Sequence, residues 1–219
     1  MNSPFSSTRF TLYLASASPR RAQLLQTAGI PFQRVSSAFE EPLPSPDDHA
    51  HPARFVEELS RGKALGCDVQ NLPRPSIVLT ADTIVWHDGQ IPVKPESEDE
   101  AVRMLSRLRG KSHQVFTGVC LRVPDNRVLD ENEKFIVAHD VTTVHFRDVS
   151  DAWIRRYVAS GEPMDKAGSY AAQERGATLI ERIEGDFTNV VGLPLALLAR
   201  LLETVGAPVE SWWSVDGGM

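Results

Sequence analysis

Leu14-Ala15-Ser16-Ala17-Ser18-Pro19-Arg20-Arg21 reads as a strand running into a helix, and this join decides how the rest of the chain is organised. Residues 10–15 suit a buried strand. Ser18 is a good N-cap, and Pro19 fits the first helical position because its missing N–H would be unpaired there anyway. Gly29 supplies a C-terminal stop, and Ala22, Leu25 and Ala28, with Leu24 beside them, form one apolar face. Arg20 and Arg21 break the electrostatic rule. A helix N-terminus carries partial positive charge, so each cation there costs about 0.3–1 kcal/mol where an anion would gain it. A bound anion reverses the sign, meeting free backbone N–H groups, the Ser16 and Ser18 hydroxyls and two guanidinium forks together. Phosphate is the first candidate. The plain alternative is that both arginines point into solvent.

The 219 residues are 42% hydrophobic and 24% charged, enough for a substantial core in one domain or two small lobes. A net charge of −6 argues against a general nucleic-acid binder, so a phosphate ligand should be small and locally recognised. Cys67 and Cys120 have neither metal-ligand spacing nor a disulfide-dense framework. The first ten residues lack a signal-peptide core, and the apolar run at 190–199 is too short to span a bilayer. These features predict a cytoplasmic protein with no membrane or nucleic-acid partner.

Further along, residues 32–35 suit a second strand and residues 40–48 a proline-rich acidic loop. Pro52 opens a helix to about Leu65, with Phe55, Val56 and Leu59 inward. Lys63 stands near its C-terminal end, where the dipole favours a lysine even without a ligand. Residues 76–81 form the clearest core strand and deliver Asp82 and Thr83 at its C-terminal end, where α/β sheets place ligand-binding groups. Residues 83–87 and 90–93 flank Asp88-Gly89, a hairpin signal that returns Lys94-Pro95 toward Asp82. Ser97-Glu98-Asp99-Glu100 opens a helix that obeys the dipole rule, stopped by Gly110. Residues 113–123 and 134–146 read as an antiparallel pair around a loop containing Pro124-Asp125-Asn126. Ser150 caps a helix to residue 160. An irregular loop, 161–170, then leads to Gln173. Residues 178–183 suit a strand, 185–189 a turn, and Pro194 opens a last helix that Gly206 stops. Trp212 and Trp213 suit packing on the body or on a partner equally. No repeat or linker divides the chain, which reads as one α/β domain.

Collected together, the candidates are a phosphate-cradling turn (Ser16, Arg20, Arg21), two lysines (Lys63, Lys94), two carboxylates (Glu41, Asp82) and two polar selectors (Thr83, Gln173). This set suits a nucleoside triphosphate. Cations neutralise the polyphosphate, carboxylates hold Mg²⁺ or Mn²⁺, and a carboxylate beside such a metal can deprotonate a water. No Walker loop, His-Glu-x-x-His zinc site or Gly-x-Ser-x-Gly elbow occurs. The histidines, among them His49, His51, His139 and His145, are scattered and suit surface or core roles better than metal ligation.

In sequence order these segments resemble the Maf family of nucleoside triphosphate pyrophosphatases. The resemblance rests on 14–21, the Glu41 loop, Ser60-Arg61-Gly62-Lys63-Ala64, Ala81-Asp82-Thr83, Lys94-Pro95, residues 161–170 and Asn189-Val190-Val191-Gly192-Leu193-Pro194-Leu195. It covers nearly the whole chain as a single domain, 1–219, with about 1–9 and 207–219 peripheral. It implies a mixed, elongated α/β sheet flanked by helices, with an inosine-triphosphatase-like cleft between two lobes. The implied reaction is metal-dependent hydrolysis of a nucleotide to its monophosphate and pyrophosphate. By motif, Asp82 resembles the proton acceptor. Ser16, Arg21, Glu41, Lys63 and Lys94 match phosphate- and metal-handling positions, with Glu41 and Asp82 on the metal. Arg20, Thr83 and Gln173 match base-selecting positions. The Asp-Thr pair and Lys166-Ala167-Gly168-Ser169-Tyr170 followed by Gln173 are similar to the dTTP/UTP-preferring subgroup. The alternatives are 7-methyl-GTP or another modified nucleotide as substrate, or a nucleotide-binding regulator of cell division. A homodimer is left open.

Overall fold

The computed structural model describes residues 10–73, 75–123 and 134–213. The opening join forms as read: strand β1 (Thr11–Leu14) leads into helix α1 (Pro19–Thr27), with Pro19 in its first turn. Ser18 is the N-cap residue but makes no side-chain cap bond; instead its N–H donates to Ser16 Oγ at 3.2 Å. The cap hydroxyl is thus unused by the helix. After α1 come β2 (Gln33–Arg34), α2 (Pro46–Ala50) and α3 (Pro52–Leu65). Part of the expected acidic loop is therefore helical. Ser45 and Asp48 close a capping box that the proline count hid.

Strand β3 (Ser76–Trp86) departs most from the sequence reading. It does not end at Ala81. Its later residues pair antiparallel with β4 (Ser112–Val123), Asp82 opposite Gly118 and Thr83 opposite Thr117, so Asp82 lies in mid-strand. The turn at Asp88-Gly89 forms, but only one bridge, His87 to Gln90, follows it, and residues 91–97 do not return as a strand. Helix α4 (Glu98–Leu108), the β4 to β5 (Lys134–Phe146) pair and α5 (Asp151–Val158) form as expected. Short 3₁₀ turns occupy 162–179 before β6 (Ile180–Glu184). The turn read at 185–189 becomes α6 (Phe187–Val191), capped by the Asp186 carboxylate. In α7 (Leu195–Thr204), Pro194 is the N-cap residue. Pro124-Asp125-Asn126, residues 1–9 and residues from Ser214 onward lie outside the described residues.

The six strands form one mixed sheet in the order β2-β1-β3-β4-β5-β6. The three β1–β3 strands run parallel and the rest are antiparallel. Strand alternation sorts side chains between the faces. Leu12, Leu14, Ile77, Leu79 and Ala81 pack against α1 and α7. Val78 joins Tyr13, Ala15, Cys67 and Val69 on the other side, while Ile84 meets Phe55, Val56 and Leu59 of α3. Each fully buried leucine contributes about 1.5–3 kcal/mol. The far half of the sheet is covered by α4 and α5 over Val85, Val115 and Val144. The tail is anchored to the body: Trp213 Nε1 donates to Ala28 O at 2.9 Å and Trp212 Nε1 to Phe10 O at 3.3 Å. No helix among the described residues is long and apolar enough to cross a membrane.

Candidate active site

The pairing of β1 with β3 stops at Leu14 and Leu79, with one further bond from Ala15 N to Leu79 O, whereas β3 runs on to Trp86. From Thr80 onward, that edge of β3 has lost its strand neighbour. Here the chain turns through Ser16 into α1, and here Asp82 and Thr83 sit. As consecutive strand residues they point to opposite faces, so the edge of one strand carries two different chemistries.

On the α3 face, Thr80 Oγ1 donates to Ser60 O at 2.6 Å, tying the helix to the strand. One turn later Lys63 Nζ stands 2.7 Å from Asp82 Oδ1 and 2.6 Å from Glu41 Oε1. The lysine that the sequence counted among the candidate cations, at a helix end that would favour one in any case, bridges two carboxylates. The Lys63 and Asp82 side chains are 13% and 12% exposed, whereas Glu41 is 52% exposed, so the pair is sheltered and the third member open to solvent. Burial pushes the Glu41 carboxyl up, but the Lys63 hydrogen bond and charge, with Lys94 and Arg21, outweigh it and hold it below the ordinary glutamate range. Lys94, which is exposed, thus contributes its field at this carboxylate; no ion pair joins it to the cluster among the described residues. Of the adjacent Glu40 and Glu41, it is Glu41 that reaches Lys63. Its loop is seated on α3 by Phe39, whose ring lies 2.3 Å from where a Cβ on Gly62 would be.

On the α1 face, Arg21 is buried rather than turned to solvent. Its Nε donates to Gly192 O at 2.7 Å, Nη1 to Ser16 Oγ at 3.2 Å and Nη2 to Thr83 Oγ1 at 3.1 Å. The guanidinium therefore clasps the helix start, β3 and the α6–α7 turn, with two of its five N–H donors left over. Gly192 has φ +122°, a conformation that residues with side chains rarely adopt, and a Cβ there would stand 3.4 Å from Thr83 Oγ1. Burial holds the Arg21 guanidinium below its ordinary value, against the opposing pull of Asp82 and Glu41. Arg20, its neighbour, reaches Asp165 at 4.0 Å. The 161–176 loop approaches this same face: Gly168 packs against Val85, and Glu162 accepts from Tyr157 Oη, Arg175 N and Gly176 N at 2.8–3.1 Å. Gln173 is exposed at this loop's end and makes no hydrogen bond to the cluster among the described residues.

Thus the structure brings together Ser16, Arg21 and Thr83 on one face and Glu41, Lys63 and Asp82 on the other. Asp165 and Gly192, quoted within motifs but given no role, join the site through Arg20 and Arg21, and Thr117, given no role either, lies with its Oγ1 3.0 Å from Thr83 Oγ1 and 3.0 Å from Asn189 O. A separate depression of about 470 Å³ near the far end of β3, lined by His87, Asp88, Lys111 and His145 among others, takes none of these residues.

Residues 11–205 match the family model described as Maf-like protein. The chain is 45% identical over 202 residues to a dTTP/UTP pyrophosphatase of Symbiobacterium thermophilum, covering 90% of this chain and 95% of that protein. It is 42% identical over 209 residues to a dTTP/UTP pyrophosphatase of Alcanivorax borkumensis, covering 94% and 99%, and 41% identical over 189 residues to one of Aquifex aeolicus, covering 86% and 92%. With a family match running from β1 to the end of α7 and these relatives aligned over most of their length, the chain belongs to the Maf family.

Proposed function

We propose that this chain hydrolyses dTTP and UTP to the nucleoside monophosphate and pyrophosphate, with Asp82 accepting the proton of the attacking water. The observation that carries the reading is the sheltered Lys63–Asp82 pair beside Glu41, set across one strand edge from a buried Arg21. The relatives' names supply the nucleotide class. In this reading the triphosphate crosses the open edge of β3. Its phosphates lie toward Lys63, Lys94 and Asp82, with Ser16 and the spare donors of Arg21 at the crossing, and its base lies toward Arg20, Thr83 and Gln173.

Lys63 occupies Oδ1 of Asp82, leaving Oδ2 for water. Water attacks the α-phosphorus, its proton passes to Asp82, the bond from that phosphorus to the α–β bridging oxygen breaks, and pyrophosphate leaves. Lys63, Lys94 and Arg21 meet the charge that develops on the phosphate oxygens. A divalent cation, Mg²⁺ or Mn²⁺, fits the donor set. Among the described residues no three His, Cys, Asp or Glu side chains converge, while Glu41 and Asp82 supply the one or two carboxylates that such ions use alongside substrate phosphates and retained waters. When bound, the ion supplies charge neutralisation and orientation of the phosphate oxygens.

The reading treats 1–219 as one Maf-like domain acting in the cytoplasm. It is supported by one sheet shared by every layer and by Cys67 and Cys120, both buried and free. The test is a panel of canonical and modified triphosphates with Mg²⁺ or Mn²⁺, followed for monophosphate and pyrophosphate. Turnover of dTTP and UTP is expected; no turnover of any nucleotide rejects the reading.

A further inference from the structure

Glu41 is the most open member of the Lys63 cluster, and from Glu40 to Pro44 no backbone hydrogen bond holds its loop among the described residues. A half-exposed ion pair by itself holds a side chain poorly, because it must overcome the freedom of both partners. The fastening lies just upstream. Lys63 O, in the last turn of α3, lacks its regular helical partner, since Cys67 N donates to Ala64 O instead. Ser37 Oγ donates to Lys63 O at 2.7 Å, with Cys67 Sγ a further donor at 3.2 Å, and the Ser37 oxygen accepts in turn from Phe39 N at 3.3 Å. Ala38 N donates to Gly66 O at 2.9 Å. Gly62 and Gly66, four positions apart, share one helix face. A Cβ on Gly66 would stand 2.7 Å from Ser37 Oγ and 2.8 Å from Phe39 N, and the Phe39 ring fills the place of one on Gly62. Residues 37–39 therefore lie along the very turn that carries Lys63.

We propose that Ser37 is a positioning residue for Glu41: by tying the loop to the carbonyl of Lys63, it sets Glu41 against the ammonium of the same lysine with one carboxylate oxygen free for a divalent cation. This rests on the reading of Glu41 and Asp82 given above. One residue gauges both ends of the tether, because Lys63 O receives Ser37 while Lys63 Nζ receives Glu41, four positions after Ser37, at 2.6 Å. The same Nζ meets Asp82 Oδ1 at 2.7 Å, so the distance between the two carboxylates is set from both sides. Oε2 of Glu41 and Oδ2 of Asp82 make no bond among the described residues. Without the tether, the loop has to be ordered at the moment the cation binds. That cost weakens binding of the cation and leaves the filled site as it was, so it falls on the metal requirement rather than on turnover at saturating metal.

The experiment compares the wild type with Ser37→Ala, Ser37→Thr, Glu41→Gln and the Ser37→Ala/Glu41→Gln double variant. Two quantities are read: pyrophosphate release from UTP as Mn²⁺ is varied, and Mn²⁺ binding, by electron paramagnetic resonance, to the complex with α,β-imido-UTP, which resists cleavage. Ser37→Ala is expected to raise half-saturating Mn²⁺ about tenfold in both, with kcat at saturating Mn²⁺ within about threefold of wild type. Ser37→Thr, which keeps the hydroxyl, should bind Mn²⁺ as the wild type does. In the Glu41→Gln background, Ser37→Ala is expected to weaken Mn²⁺ binding no further. An unchanged Mn²⁺ requirement in Ser37→Ala, an equal loss in Ser37→Thr, or a further loss of equal size in the Glu41→Gln background overturns the proposal; the last would show Ser37 acting on α3 at large. If Ser37→Ala does not fold, Gly62→Ala decides, since an alanine favours the helix while displacing Phe39 from it. Weakened Mn²⁺ binding in that variant supports the proposal, and unchanged binding overturns it. A wild type inert toward every nucleotide overturns the proposed function, whereas an active wild type whose Mn²⁺ requirement is indifferent to Ser37 overturns this inference alone.

Discussion

Lys63 and Asp82 reach each other from different layers, helix α3 and strand β3, with Nζ 2.7 Å from Oδ1 and neither side chain more than 13% exposed. Replacing the carboxylate by an amide keeps the shape and the acceptor oxygen but removes the base. Asp82→Asn is therefore expected to lower pyrophosphate release about 10²–10⁴-fold. The thermal midpoint should stay close to that of the wild type. Turnover within a few-fold of wild type, in a protein of unchanged midpoint, rejects Asp82 as proton acceptor.

Lys63→Met leaves Glu41 and Asp82 without the ammonium between them. In the native protein the lowered Glu41 carboxyl binds its proton less readily than in the unfolded chain. It therefore adds stability that is present above the unfolded value near 4.5 and fades as pH falls through the lower folded value. The variant is expected to raise the Glu41 pKa, to flatten the acid limb of the unfolding profile below about pH 4.5, and to lose activity. Carboxyl titration by NMR reads the first effect directly, and a Glu41 value unmoved by the substitution contradicts it.

Where α3 crosses β4 the two backbones nearly touch: a Cβ on Gly118 would stand 2.2 Å from Val56 O. Backbone cannot swing aside as a side-chain tip can. Gly118→Ala is expected to cost about 3 kcal/mol or more of unfolding free energy, or to prevent folding. Urea denaturation measures it, and a cost below about 1 kcal/mol would show that α3 can lift.

His113 is buried against Phe146 and Tyr170, with Nε2 2.8 Å from Tyr170 Oη. Burial, with the charges of His87 and His145, lowers its pKa from 6.5 to about 3. Between those values the unfolded chain holds a proton that the native chain does not, so stability falls as pH drops from 6.5 toward 3. From pH 7 to pH 5 this one group accounts for about 2 kcal/mol. His113→Gln, whose amide can still meet Tyr170, should remove that part of the slope in unfolding free energies measured at the two pH values.

Much of this architecture was legible because its signals are local. Pro19, Pro52 and Ser150 open helices where they were read, and Gly29, Gly110 and Gly206 follow their helices with left-handed backbone. What escaped the reading depends on partners remote in sequence. Asp82 and Thr83 look like a strand end because they are polar, yet the ladder with β4 carries the strand through both. Lys63 was named as a candidate, but its contacts were not legible, because nothing nearby announces Glu41, 22 positions back, or Asp82, 19 positions ahead. Thr117 did leave a trace, a lone hydroxyl inside the run Val115-Phe116-Thr117-Gly118-Val119, but its partners Thr83 and Asn189 lie 34 and 72 residues away. Arg21 was read as a charge awaiting an anion. Its bond to Gly192, 171 residues on, gives it a standing structural reason as well.

Because β1 stops while β3 continues, the edge left open exposes Asp82 on one face and Thr83 on the other, the residues that the proposed function gives to bond breaking and to the base. The two tasks can then drift separately during descent. Under the proposed function, replacements around α1, Asp165 and the 161–176 loop would change which nucleotide is accepted while α3 keeps the same lysine against the same aspartate. Under that reading a lineage would revise its diet of nucleotides without having to reinvent the reaction.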